Sequence, residues 1–352
     1  MKLSLNVKLF LLALIPLMGL LYFAGMKLYD EYTYKHTLEK IKNGMEFNQK
    51  ISELIEDIQK ERVLSVKFVS EKKEFDENLI VQRKQVDKDI ERMEGFANSI
   101  NLDIFPKEIL PKLDSVLSLL SQLKEQRKYI DDLRISSEMI IDYYSDINSN
   151  LLDLLSLTVK NSYHDSKLSS LLYSYTLFMP INETVDLKGI ILFESLNEGG
   201  IRNSILIKLI QTIAKQQVLN KEFLNTLPED VKNRIAPVFQ KISENEDERV
   251  KILSLQDSDN IKRDVDLNEW YEKVSKRREE LKALQKDFIN KIYEEIQTSS
   301  SKSLYGVIVA GVVIVLTLIL FFSVMFHLPE FKFQIDYFKS KMRRRFRNWS
   351  EY

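Results

Sequence analysis

Two long apolar segments without a formal charge lie near the two ends of this chain of 352 residues. Residues 9–26 run uncharged between Lys8 and Lys27, and residues 304–328 carry no Asp, Glu, Lys or Arg between Lys302 and Glu330. As a helix, each is long enough to cross a hydrocarbon core of about 30 Å. In lipid the backbone must satisfy its own polar groups, which leaves only helices and closed barrels as spanning structures. The pattern predicts transmembrane helices at 9–27 and 303–328, with residues 28–302 held in one aqueous compartment.

Charge sets the expected orientation. The tail, 329–352, carries Lys332, Lys339, Lys341, Arg343, Arg344, Arg345 and Arg347 against Glu330, Asp336 and Glu351, and the N-terminus, 1–8, adds Lys2 and Lys8. Positive flanks stay in the cytoplasm. Both termini are expected there, with the central domain outside a bacterial inner (cell) membrane. The tail also interleaves Phe331, Phe333, Phe338, Phe346 and Trp349 with its basic residues. That pattern suits a segment lying on the anionic inner leaflet, and equally a plain stop-transfer flank. The first apolar stretch is longer than a signal-peptide core and lacks a small-x-small cleavage site, so an uncleaved anchor is expected. The whole chain has 51 basic and 52 acidic residues, which gives no basic face for nucleic acid. With no cysteine, disulfide and thiolate chemistry are excluded.

Between the apolar segments Gly and Pro are scarce, and apolar residues recur at three and four. Ile51, Leu54, Ile55, Ile58, Val66 and Val69 form one such stripe; Trp270, Val274, Leu281, Leu284, Phe288 and Ile292 form another. Both need partner helices. Breaks are expected at 98–106, around Tyr163-His164-Asp165, at Pro180, at Gly199-Gly200, before Pro228 and over a polar loop at 254–265. The expected class is all-α, two stacked bundles of antiparallel helices, the first and last helices running into the spans.

Two arginines stand where leucines belong. Arg62 lies four residues after Ile58, and Arg277 lies three after Val274 and four before Leu281, so both occupy core-facing positions; Arg278 is one step off the seam. A buried charge needs a partner. The partner is either a carboxylate, Glu61 or another, or a bound anion, and the guanidinium fork suits planar oxyanions. Little else nominates chemistry. His36, His164 and His327 lack metal spacing, and no phosphate-cradling glycine loop is present. The acids around Glu244 read as solvated surface. Tyr143, Tyr144, Tyr173 and Tyr175 suit an amphipathic core or a pocket lining. Neither an enzyme nor a cofactor is expected.

The stretch Ile58-Gln59-Lys60-Glu61-Arg62-Val63-Leu64-Ser65 resembles the opening motif of the nitrate- and nitrite-sensing (NIT) domain. Within 171–201, Tyr173, Asn182-Glu183, Phe193 and Gly200-Ile201 are similar to further family positions. Glu269-Trp270-Tyr271, followed by Lys276-Arg277-Arg278 and Leu281, resembles the family's closing motif. The resemblance implies two four-helix bundles that bind nitrate or nitrite between them through arginines, with Arg62 and Arg277 or Arg278 at two of those positions. The family's first-motif glycine is Val63 here, and its Glu-Arg pair falls on Lys188-Gly189, so Lys188 is the substitute cation. The resemblance also implies a homodimer. Because the family commonly continues into a cytoplasmic output module and this sequence shows only the basic tail, a separate signalling partner is expected. The alternative is a membrane-anchored helical structural or interaction protein that has lost its ligand.

Overall fold

The computed structural model describes residues 5–71, 77–102, 105–159, 165–198, 201–241 and 267–349. Among them every extended element is an α-helix and no strand occurs. In chain order these are α1 (Leu5–Glu71), α2 (Glu77–Ser99), α3 (Ile109–Ser121), α4 (Leu123–Asp131), α5 (Ser137–Thr158), α6 (Ser166–Glu198), α7 (Asn203–Thr226), α8 (229–241) and α9 (Leu267–Trp349). The expected breaks at 163–164, at Gly199-Gly200 and over 254–265 lie outside the described residues.

Local chemistry explains the helix starts. Ser136 is the N-cap of α5, its Oγ accepting from the Met139 N–H at 3.3 Å. The Asp165 carboxylate accepts from the N–H groups of Lys167 and Leu168 at the head of α6. Each cap satisfies donors that the first helical turn leaves without partners. Pro228 precedes α8, where its missing N–H costs nothing.

Pro180 does not end a helix. It lies inside α6, which continues to Glu198. An interior proline forfeits one backbone bond and costs about 3 kcal/mol. Here the residues on both sides, Tyr175, Phe178, Met179, Ile181 and Val185, are all buried. At roughly 1.5–3 kcal/mol for each large side chain, their burial outweighs the local penalty.

The chain divides into two compact units, Thr37–Gln297 and a smaller one formed by Met1–His36 with Thr298–Tyr352. The core of the larger unit has two centres. Phe178 of α6, Phe223 of α7, Phe239 of α8 and Phe288 of α9 form a ring cluster with centroids 5.0–6.5 Å apart. The other centre is polar and lies where α1, α2, α4 and α5 meet. There the fully buried Glu61 carboxylate accepts from both Nε and Nη2 of Arg127 at 2.7 Å and from the Tyr144 hydroxyl at 2.7 Å. Helices α1 and α5 approach closely at Gly44, where a Cβ would stand 2.7 Å from the Thr158 carbonyl oxygen.

In the smaller unit the described buried residues are mostly small, with Leu17 a large one among them. Its buried residues include Ala24, Ser303, Ala310 and Thr317, whereas Leu12, Ile15, Phe23, Phe322 and Phe326 are exposed. Among the described residues one helix, α9, carries a stretch long and apolar enough to cross a membrane, reaching His327. The expected first span lies within α1, and the side chains of its opening residues are outside the described set.

Leu133, between α4 and α5, has φ of 54°, a left-handed conformation. It is half exposed, and the Arg134 N–H bonds back to the Tyr129 carbonyl at 2.9 Å, a helix-closing turn that ordinarily uses glycine. A β-carbon there costs roughly 1–2 kcal/mol. Leu133→Gly is therefore expected to stabilise the protein by about 1 kcal/mol in urea unfolding, against the destabilisation normal for glycine substitutions.

Candidate anion site

The stripe that carries Ile58 and Val66 also brings Arg62 inward, and its side chain is fully buried. Its partners come from α6 and α5. Nη1 donates to Glu183 Oε1 at 2.6 Å and to Ser145 Oγ at 2.8 Å, and Nη2 donates to Asp186 Oδ2 at 2.8 Å. Nε is buried without a hydrogen-bond partner. The Glu183 Oε2 accepts from Gln59 and Asn148, each at 2.8 Å. The other oxygen of Asp186 accepts from Arg278 of α9, through Nε at 3.0 Å and through a shorter contact from Nη2. Asp186 therefore bridges two arginines from different helices.

Electrostatics follows from that geometry. Burial alone would push the Asp186 carboxyl up, but Arg278 and Arg62 together hold it below the ordinary aspartate range. Burial disfavours the charged form of Arg62, yet Glu183 and Asp186 outweigh it and raise its pKa. Arg277 shifts the other way. It is substantially desolvated, and the charge of Glu280 only partly offsets that, so its pKa is lowered.

Beside the Arg278–Asp186 pair is a cavity of about 30 Å³ between α1, α6 and α9. A single water needs about 10–15 Å³ on this measure, so the space suits two waters or one small planar ion. Arg277 and Arg278 line it, with the amides of Gln59, Asn182 and Gln285, the Glu56–Lys282 ion pair (2.8 Å) and the apolar Ile55, Met179 and Val274.

The structure thus brings together some of the expected residues. Arg277 and Arg278 share the cavity, and Arg62 reaches it only through Asp186. Lys188 points elsewhere: it is buried and donates to Gln216 Oε1 of α7 at 2.8 Å. Gly189, where the resemblance leads one to look for an arginine, packs against α9, and a Cβ there would stand 3.0 Å from Val274 Cγ1. That close approach leaves no room for a longer side chain. Glu61, a carboxylate expected as one candidate partner of Arg62, is instead committed to Arg127 and Tyr144. The acids that do answer it, Glu183 and Asp186, lie three apart on α6 among the buried Met179, Ile181, Val185 and Ile190, and two charges on that buried face are the signal that could have found them. Tyr144 and Tyr175 are core residues, the latter hydrogen-bonded to Ser52 at 2.7 Å. The side chain of Trp270 is outside the described set.

Residues 53–292 match the family described as nitrate and nitrite sensing, and the chain belongs to this NIT family. Among solved structures it is similar to that of the NasR transcription antiterminator, with 15% identity, a TM-score of 0.65 and 80% of each chain covered. At that identity the likeness establishes a shared fold. No curated protein matches the chain.

Replacing Asp186 by Asn should cost about 3–5 kcal/mol in urea unfolding, because it strips a carboxylate from two arginines at once. The pH dependence has a defined sign. A depressed folded-state pKa means that Asp186 contributes stability above the unfolded value, about pH 4, and loses it as pH falls through the folded value. Wild-type stability should drop more steeply below about pH 4 than that of Asp186→Asn.

Proposed function

We propose that this protein is a membrane-anchored sensor whose extracytoplasmic helical domain binds a small planar oxyanion of the nitrate and nitrite class in the cavity lined by Arg277 and Arg278. One observation carries the reading: two adjacent guanidinium groups and three amides border a cavity of one-ion size, in a chain whose family match spans 53–292. The forked N–H donors of arginine fit a trigonal oxyanion, and Gln59, Asn182 and Gln285 supply further hydrogen-bonding groups around it. No catalytic role is proposed.

Binding would act by competition. An anion seated between Arg277 and Arg278 offers Arg278 an alternative to Asp186, and loosening that bond alters the tie among α9, α6 and Arg62 of α1. The reading includes two spans, at 9–27 and 303–328, and cytoplasmic termini. Its support is the outward display of large apolar side chains and the burial of small ones in the smaller unit, the pattern of helices packed in lipid, together with the basic flanks. Two packed copies and a partner protein that reads the change complete the proposal.

A second reading has its own observation. Arg62 and Arg278 already have carboxylate partners in Glu183 and Asp186. A domain so neutralised can serve as a membrane-anchored helical spacer that needs no ligand. Thermal unfolding of the full chain in detergent, with and without nitrate or nitrite, separates the two. At about 100 times the dissociation constant, binding adds about 2.7 kcal/mol. Arg277→Gln is expected to abolish that gain, since it removes one of the two arginines that line the cavity. A wild-type protein unmoved by either anion supports the spacer.

A further inference from the structure

The smaller unit carries a feature that neither the anion site nor the apolar stretches use. Tyr29 and Tyr32 of α1 and Tyr305 of α9 are 71%, 72% and 70% exposed, which is unusual for a large aromatic side chain. Contacts between the two helices set these three rings at one level. Ser303 Oγ donates to the Glu31 carbonyl at 3.1 Å, and a Cβ at Gly306 would stand 2.5 Å from Glu31 Oε1. Glu31 therefore faces the turn that carries Tyr305, and Tyr29 and Tyr32 lie within about 3 Å of it along the axis. The outer surface changes character on either side of this level. Towards one end the exposed residues are apolar, Leu12, Ile15 and Phe23 on α1 and Ile308, Val312 and Leu316 on α9. Towards the other stand the exposed Lys35 and Lys302. Lys27, the first charge after the uncharged stretch, pairs with Glu31 at 2.5 Å, which lowers the cost of holding it at the edge of an apolar phase.

We propose that Tyr29, Tyr32 and Tyr305 form a ring seated in the phospholipid headgroup layer on the outer side of the membrane, and that this ring sets the height of the two helices in the bilayer. The inference rests on the membrane-anchored reading above. A tyrosine has an apolar body and a polar tip, so it is best placed where hydrocarbon meets water: the ring lies against the upper acyl chains, and the hydroxyl reaches phosphate, ester carbonyls or water. The dimensions agree. With the hydrocarbon edge at Lys27, Tyr29 and Tyr32 stand about 3 and 8 Å above it, and the headgroup layer is about 5–8 Å deep. Tyr305 joins them at that level from the antiparallel helix. Moving the pair of helices inward would bury three hydroxyls in hydrocarbon, and moving it outward would expose apolar side chains to water. The ring resists both displacements.

The chain has no cysteine, so a single introduced cysteine takes a nitroxide label without further change. The full-length chain is labelled at Tyr29→Cys, Tyr32→Cys or Tyr305→Cys, and for comparison at Tyr22→Cys, another exposed position. Each is reconstituted in vesicles of phosphatidylcholine and phosphatidylglycerol, and collision with oxygen and with a water-soluble nickel chelate reports the depth of the label. The three ring positions are expected within about 5 Å of the phosphate level, and position 22 about 10 Å deeper than position 29. Replacing all three tyrosines by Ala should shift the label at position 22 by at least about 3 Å, two residues of helix, and Trp at the same positions should restore it. Ring positions as open to nickel as in free solution, with position 22 in hydrocarbon, overturn the ring and leave the spans. Ring positions shielded from both collision partners are covered by protein, which overturns the lipid assignment. A label at position 22 that does not move in the Ala variant overturns the height-setting role. A label at position 22 open to nickel overturns the membrane reading and the ring together.

Discussion

The placement of one guanidinium group inside a helical core governs much of this structure. Arg62 is completely removed from water, and the cost of desolvating an isolated cation there far exceeds the marginal stability of a domain. The fold is compatible with that burial because Glu183 and Asp186 come from the facing helix at 2.6 and 2.8 Å, with Ser145 from α5 completing the shell. These contacts fix the rotation of α1 and α6 about their axes, since a turn of either helix by one residue would separate Arg62 from both Glu183 and Asp186. The apolar contacts around them tolerate small slippage; the ion pairs do not.

The same constraint shapes the chemistry beside it. Asp186 spends one oxygen on Arg62 and the other on Arg278, so the residue that stabilises the core also competes with any ligand of α9. In the proposed anion site two arrangements compete: carboxylate on the fork, or ligand on the fork. A ligand would shift that equilibrium only by its differential affinity for the two arrangements. Gly189 adds a steric element. Its contact with Val274 draws α6 against α9, and this closeness helps keep the cavity to the size of one small ion.

Much of the fold was readable from residue pattern, and the failures have physical causes. The spacing of Ile51, Leu54, Ile55 and Ile58 identified a buried helical stripe and put Arg62 on it. Pro180 misled because local propensity was judged without the burial of Phe178, Met179 and Ile181 that overrides it. The apolar stripe of α9 put Arg277 on its seam and Arg278 one step off it, yet Arg278 is the one that grips Asp186, which periodicity could not show. Lys188 looked like a substitute ligand from its place in the chain. Only the rotation of α6 revealed that it faces Gln216 instead.

By itself the sequence determined the helical class, the apolar termini and the fact that charged groups lie inside, because helix periodicity and hydrophobicity are properties of neighbouring residues. Tertiary structure alone decided which acids answer which arginines. Glu183 and Asp186 are more than a hundred residues from Arg62, and a pairing over that separation is set by helix rotation and packing distance, which no local pattern encodes.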